Sequence, residues 1–190
     1  MKRTIIAGIL GGLIAFVWSA IVHMLPATSQ LGLSMMNEQE PAVLAILKSN
    51  LSQPGLYFFP GMDMTKAMTK EQEDAWTAKY KAGPSGLLLY HPNGAEPMAP
   101  KQLAIEFFST VLCGLIAAFL LAATVGSLAC RASIVAMLGL FGWLAISVSQ
   151  WNWYGFPFSF IALDAIDQVI GWFLAGFLMA KLIRPPTPKL

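Results

Sequence analysis

Three stretches of this chain carry no Asp, Glu, Lys or Arg: Thr4 to Leu25, Phe107 to Cys130 and Ala132 to Leu163. As a helix rising about 1.5 Å per residue, each is long enough to cross roughly 30 Å of hydrocarbon. A fourth apolar stretch, Gln168 to Ala180, extends only about 20 Å as a helix. A full crossing there must begin near Ile161 and carry Asp164 and Asp167 with it. Composition agrees, since 56% hydrophobic and 12% charged residues and a mean hydropathy of +0.62 are too apolar for an ordinary soluble domain. The expected fold is an all-α membrane protein of four transmembrane helices, with a small extracytoplasmic α(+β) insert between helices 1 and 2. Residues 1–25 form the first transmembrane helix, 26–101 the insert, and 102–190 the remaining three helices with a short cytoplasmic tail.

The basic residues orient this arrangement. Lys2, Arg3, Arg131, Lys181, Arg184 and Lys189 fall at ends that four crossings place on one side, whereas the connection around Trp151 to Pro157 holds no Lys or Arg. Positive loops stay in the cytoplasm, so both termini are expected inside and the insert outside. Compactness and the lack of longer targeting signals suggest the inner (cytoplasmic) membrane of a cell, with the lipid bilayer as the first partner. The basic start and apolar run of the N-terminus could be taken for a secretory signal, but no clear A-x-A site follows, and an uncleaved first span is expected. Cys113 within the second span and Cys130 at its cytoplasmic end meet no oxidising environment, which argues against a disulfide.

Within the first span, Gly8, Gly12, Ala15, Ser19 and His23 share one narrow helical face, a small-residue packing stripe ending in a polar head. Gly139 and Gly142 play the same part in the third span and Gly171 in the fourth, where Asp164, Asp167, Gln168, Gly171 and Ala175 share a face. Trp151, Trp153 and Tyr154 are expected at the outer interface, where amphipathic rings prefer to lie. In the insert, Asn37 with Glu40 reads as a capping box opening an amphipathic helix over 42–51, and Thr69 with Gln72 as another, opening a charged helix that Gly83-Pro84 stops. Leu56 to Phe59 and Gly86 to His91 read as short strands, the second followed by a tight turn at Pro92-Asn93-Gly94.

The topology brings His23, Glu106, Gln150, Asp164 and Asp167 to the outer half of the bundle, each on its helix's packing face. Carboxylates within a membrane are costly and usually face a bundle interior or a water-filled cavity. Three of them, with no Lys or Arg in the spans, cannot all be held as anions at close range without a cation or proton between them. The five residues therefore form a candidate proton or cation pocket, with Asp167 deepest, roughly 9 Å below the start of its span. The competing interpretation makes Glu106 and Asp164 solvated acids in helix first turns, where the dipole favours them.

Other chemistry is poorly supported. Met62, Asp63, Met64 and Met68, with His23 and His91, could suggest soft-metal binding, but methionine is also a flexible gap filler, and no metal or cofactor is expected. No zinc-protease, nucleophile-elbow, P-loop or dinucleotide pattern occurs, so the chain is not expected to be an enzyme, and scattered basic residues give no nucleic-acid surface. Asn50-Leu-Ser52 fits a glycosylation sequon, which matters only on a eukaryotic secretory route. Small size, glycine-lined helices and an aromatic collar suggest a non-enzymatic accessory or assembly subunit of a larger membrane complex, partnering other membrane subunits or itself. The alternatives are a small transporter or proton/cation-responsive protein using the acidic cluster, and an extracytoplasmic metal or lipid binder built from the insert.

Overall fold

The computed structural model describes residues 1–63 and 65–186, so Met64 of the methionine cluster and Lys189 of the basic tail lie outside the described residues. The elements are α1 (Lys2–Met24), α2 (Glu40–Asn50), β1 (Gly55–Phe59), α3 (Lys70–Ala82), β2 (Gly86–Tyr90), α4 (Pro100–Ala122), α5 (Leu128–Tyr154) and α6 (Phe158–Leu182). They form two compact units: Met1–Ser34 with the chain from Met98 onward, and Met35–Pro97. The second unit is narrower than the 26–101 expected for the insert. Residues 26–34 fold with the long helices because Gly32, at φ 78°, lets the backbone lie directly on Phe160, where an added Cβ would stand 2.5 Å from the phenylalanine Cβ.

In the first unit, α1, α4, α5 and α6 are each long and apolar enough to cross a membrane. Their starts and stops follow local chemistry. Pro100 sits in the first turn of α4, with Gln102 Oε1 accepting from the Ala99 amide at 3.1 Å. The Ser127 hydroxyl accepts from the Cys130 amide at 3.3 Å and starts α5. Gly155, left-handed at φ 73°, ends that helix, and Pro157 precedes α6. Cys130 therefore belongs to the first turn of α5 and not to the end of the second span as expected. The helix also runs on through Trp151, Trp153 and Tyr154, all exposed, so only a short break at 155–157 separates the third and fourth long helices.

Small residues set how these helices pair. A Cβ added at Gly8 would meet Leu115 Cα at 2.8 Å, and one at Gly12 would meet Val111 Cα at 2.6 Å, which docks α1 backbone to backbone on α4. Gly139 admits the Gln168 carbonyl and Gly176 admits Val135, which seats α5 on α6. Gly171 lies under the Trp18 indole and Gly11 under Met179, which seats α1 on α6. The core is correspondingly alanine-rich: Ala7, Ala15, Ala117, Ala118, Ala175 and Ala180 pack around Leu121, Val135 and Met179. Gly142 is the correction to this pattern. Nothing lies within 4 Å of a Cβ there, because it faces a cavity and not a neighbouring helix. Gly11, Gly114 and Gly176 do the close packing that Gly142 was expected to share.

The pairings leave one side thin. Helix α1 packs along α4 and α6, and α5 packs along α6, but α4 and α5, neighbours in sequence, touch only sparingly. What joins them is Arg131, 2% exposed in the first turn of α5. Its guanidinium donates to Leu121 O at 3.1 Å and Thr124 Oγ1 at 3.4 Å on one side, and to Ala180 O at 3.2 Å and Ile183 O at 2.8 Å on the other. Arg131 was expected to serve only as a cytoplasmic charge, yet it meets the Ala180 and Ile183 carbonyls at the end of α6 and joins Thr124 as a donor to Leu121 O at the end of α4, where a cation is favoured by the helix dipoles.

In the second unit, β1 and β2 pair antiparallel, with Gly55 opposite Tyr90 and Phe59 opposite Gly86. The expected Thr69–Gln72 capping box is present in full and opens α3. Trp76 and Tyr80 on α3 lie tilted at 5.2 Å between ring centres, Phe58 stacks on Tyr80 at 6.2 Å, and the Trp76 indole donates to Pro60 O at 3.0 Å. The turn after β2 closes with the Gly94 amide donating to His91 O at 3.1 Å. Asn37 does not cap α2: it opens a 3-10 turn, Asn37–Gln39, at φ 50°, and its side chain makes no cap bond. The amphipathic stripe of α2 is unburied, with Leu44 and Ile46 exposed.

Candidate functional site

Asp167 occupies the third turn of α6 on the face that meets α1, and only 6% of it is exposed. The Ser19 hydroxyl donates to its Oδ2 at 3.0 Å, and Oδ1 has no hydrogen-bond partner among the described residues. Ser19 also ties in the histidine: His23 Nδ1 donates to the Ser19 carbonyl at 3.0 Å and stands 3.4 Å from its hydroxyl, as the i,i+4 spacing on one helix face allows. One turn earlier on α6, Asp164 Oδ2 accepts from the buried Ser147 hydroxyl at 3.2 Å. The Trp143 indole fixes that register by donating to Ile161 O at 2.6 Å. Across from these, Glu106 on α4 accepts at its carbonyl from Thr110 Oγ1 at 2.8 Å, with its own Oε1 3.5 Å from that hydroxyl.

His23, Glu106, Asp164 and Asp167 line one cavity of about 620 Å³, together with Ser19 and Ser147. Exposure falls from His23 and Glu106 to half-buried Asp164 and buried Asp167, so Asp167 is the deepest acid. Among the described residues the lining holds no Lys or Arg. Neither Glu106 nor Asp164 lies in a helix first turn, and α4 and α6 have no acid there. The helix-start part of the competing account is thereby corrected, while Glu106 is exposed as that account expected. Gln150, the fifth expected member, is absent from the lining. Ser147, one turn earlier on α5, is the residue that reaches Asp164, whereas the Gln150 carbonyl is taken up in ending α5, accepting from the Gly155 amide.

The side chains that position the acids, Ser19, Ser147 and Trp143, were not singled out as site residues. Ser19 was readable as one turn before His23 on the same stripe, and Trp143 shares a helical face with Gly139, Gly142 and Gln150; Ser147 carried no comparable signal. Gln168 also lines the cavity, its Oε1 accepting from the Trp172 indole at 3.1 Å. Although four titratable groups share the cavity, no three His, Cys, Asp or Glu side chains among the described residues converge closely enough to hold a metal ion. The site is a roomy acidic chamber and not a ready-made ligand set.

A second cavity of about 380 Å³ adjoins the first. The two share Ser19, Glu106, Gly142, Asp167 and Gln168, and the second continues past Thr110 and Cys113 to Ile116, Leu120 and Leu138. It lies where α4 and α5 are thinly packed, and its walls change from polar to apolar along α4.

No protein-family model matches the chain. No curated protein and no solved structure proved similar to it.

Proposed function

We propose that the chain is a four-crossing inner-membrane protein, with both termini cytoplasmic and the Met35–Pro97 unit outside, that binds a cation in its acidic chamber as a small transporter or cation-responsive protein. The observation that carries this reading is Asp167: a carboxylate nine-tenths buried among apolar helices, with one oxygen unpartnered and no Lys or Arg among the described residues of the surrounding wall. Such a group is costly unless a proton or cation joins it. The room around it, and the spread of Glu106, Asp164 and His23 about the chamber, suit an organic or hydrated cation better than a bare metal ion held by converging ligands.

The test uses the purified full chain in lipid nanodiscs, with carboxylate infrared bands recorded while methylammonium, Na⁺ or K⁺ is added. At least one cation should shift a carboxylate band in the parent and not in Asp167→Asn. Identical spectra in parent and variant with every cation overturn the reading. A change driven by pH alone would identify the proton as the ligand.

The thin α4–α5 side gives some support to a second reading, an accessory subunit whose partner helix covers that flank. Native mass analysis after gentle extraction separates the two: a stoichiometric partner favours the accessory role, and a lone protomer opposes it.

A further inference from the structure

The adjoining cleft specifies the ligand class more closely. Along α4 its wall runs from Glu106 to Leu120, about 21 Å at 1.5 Å per residue, more than the roughly 15 Å depth of one hydrocarbon leaflet. One end holds Glu106, Asp167 and Ser19; the other is built from Ile116, Ala117, Leu120 and Leu138. Volumes of about 380 and 620 Å³ lie in the range of roughly 300–1,000 Å³ typical of small organic ligands. The two chambers meet at Asp167, which lines both and whose Oδ1 has no hydrogen-bond partner among the described residues.

We propose that the ligand is a single-chain amphiphile with a protonated amine head, which enters sideways between α4 and α5, lays its hydrocarbon chain along α4 toward Leu120 and sets its head against Asp167. Charge complementarity selects the head, because the wall offers three carboxylates and, among the described residues, no Lys or Arg. The apolar half of the cleft selects the tail. A partner helix is a poorer occupant: to satisfy Asp167 it would have to bring a cation to the middle of the bundle, where Lys and Arg are rare on membrane helices. Gly142 belongs to the design, since the space beside it that no neighbouring side chain fills is where the two chambers join.

The inference rests on the cation reading above, and its test keeps the two apart. Cys113 is exposed and lines the cleft, so it reports occupancy. In a Cys130→Ser background in zwitterionic nanodiscs, modification of Cys113 by a membrane-permeant maleimide is followed while dodecylamine, dodecanol or propylamine is added. Dodecylamine should protect Cys113, whereas removing the charge or the tail should each weaken protection by about tenfold or more. Asp167→Asn should erase the preference for amine over alcohol, and Ile116→Trp, which fills the apolar end, should abolish protection by dodecylamine while leaving the methylammonium response of the carboxylates intact. If dodecanol protects as well as dodecylamine, or if propylamine matches both, the amphiphile is overturned and the cation reading survives. If no amine gives an Asp167-dependent response of either kind, the amphiphile falls, and the cation reading falls with it only if Na⁺ and K⁺ also leave the spectra of parent and Asp167→Asn identical. Protection of Cys113 before any addition, with a second polypeptide cross-linked to α4, also overturns the amphiphile and assigns the flank to a partner helix.

Discussion

Arg131 Nη1 donates to the Ile183 carbonyl at 2.8 Å across fifty-two positions of sequence, and the same side chain reaches the end of α4 through Leu121 O. One buried cation thus terminates two helices and begins a third. Arg131→Met removes hydrogen bonds to three carbonyls and one hydroxyl and leaves the Ala180 and Ile183 carbonyls without the donor that meets them, so stability should fall by about 2–4 kcal/mol. Arg131→Lys should recover only part of this, because a single ammonium cannot span oxygens on opposite sides as the planar guanidinium does. Thermal unfolding in detergent, followed by circular dichroism, checks the order parent, Lys, Met. Equal stability of Met and parent would show that the contacts are not holding the helix ends.

Gly12 and Gly142 should respond oppositely to the same small change. A methyl at Gly12 would press on Val111 Cα at 2.6 Å and on the Thr110 carbonyl at 2.9 Å, so Gly12→Ala must push α1 away from α4. A destabilisation of about 1–3 kcal/mol is expected from such overpacking. At Gly142 no atom lies within 4 Å, and Gly142→Ala should be neutral or stabilise by up to about 1 kcal/mol through helix propensity. Unfolding midpoints of the two variants, measured side by side, decide the matter.

The Trp18 indole nitrogen is buried with no hydrogen-bond partner among the described residues, while its ring covers Gly171. An unmet buried donor costs about 1–3 kcal/mol, which offsets much of what the larger ring contributes by packing. Trp18→Phe should therefore change stability by less than about 1 kcal/mol, whereas Trp18→Ala should lose the packing and cost about 3–5 kcal/mol. If Phe proves as damaging as Ala, the indole N–H is doing something this geometry does not account for.

In the other unit, Thr65 donates from both its hydroxyl, at 2.6 Å, and its amide, at 3.0 Å, to Asp63 Oδ1. The hydroxyl bond is the largest of the three influences, with the Thr65 amide and the Lys66 side chain, that hold the Asp63 carboxyl below its ordinary value. Since the folded value is the lower one, the turn is favoured at pH above the ordinary carboxylate range, and that benefit disappears as pH falls through the depressed value. Thr65→Ala should raise the Asp63 midpoint toward the ordinary value without fully restoring it, because the amide bond remains. A carboxyl ¹³C titration of the full chain reads this directly, and an unmoved midpoint would discount the hydroxyl.

How much of this was legible in the sequence depended on whether a feature is local. The four long helices are announced by the absence of charge, and the α3 cap by Thr69 and Gln72 alone. The two short strands are visible in Leu56 to Phe59 and Gly86 to His91, the second one residue longer than β2 proves to be. Phase along a helix was harder: Gln150 and Ser147 are separated by one turn of α5, and only the seating of α5 on α6 reveals which of them meets Asp164. The same ignorance of partners misassigned Gly142 and passed over Gly114 and Gly176, since small residues do not say which face of which helix they admit. Arg131 was read as a charge that sets orientation because nothing near it in sequence discloses that two other helices end beside it. Asn37 had the right identity and spacing for a cap, but its backbone entered a 3-10 turn instead.

Arg131 pins α4 and α5 together at the end where the chain turns from one into the other. With that end fixed and little packing beyond it, any parting of the two helices must grow with distance from the guanidinium, like a hinge seen from its pin. The widest movement then falls beside Glu106, Asp164 and Asp167, where the proposed ligand would pass without disturbing the alanine-rich seams that keep the protein folded.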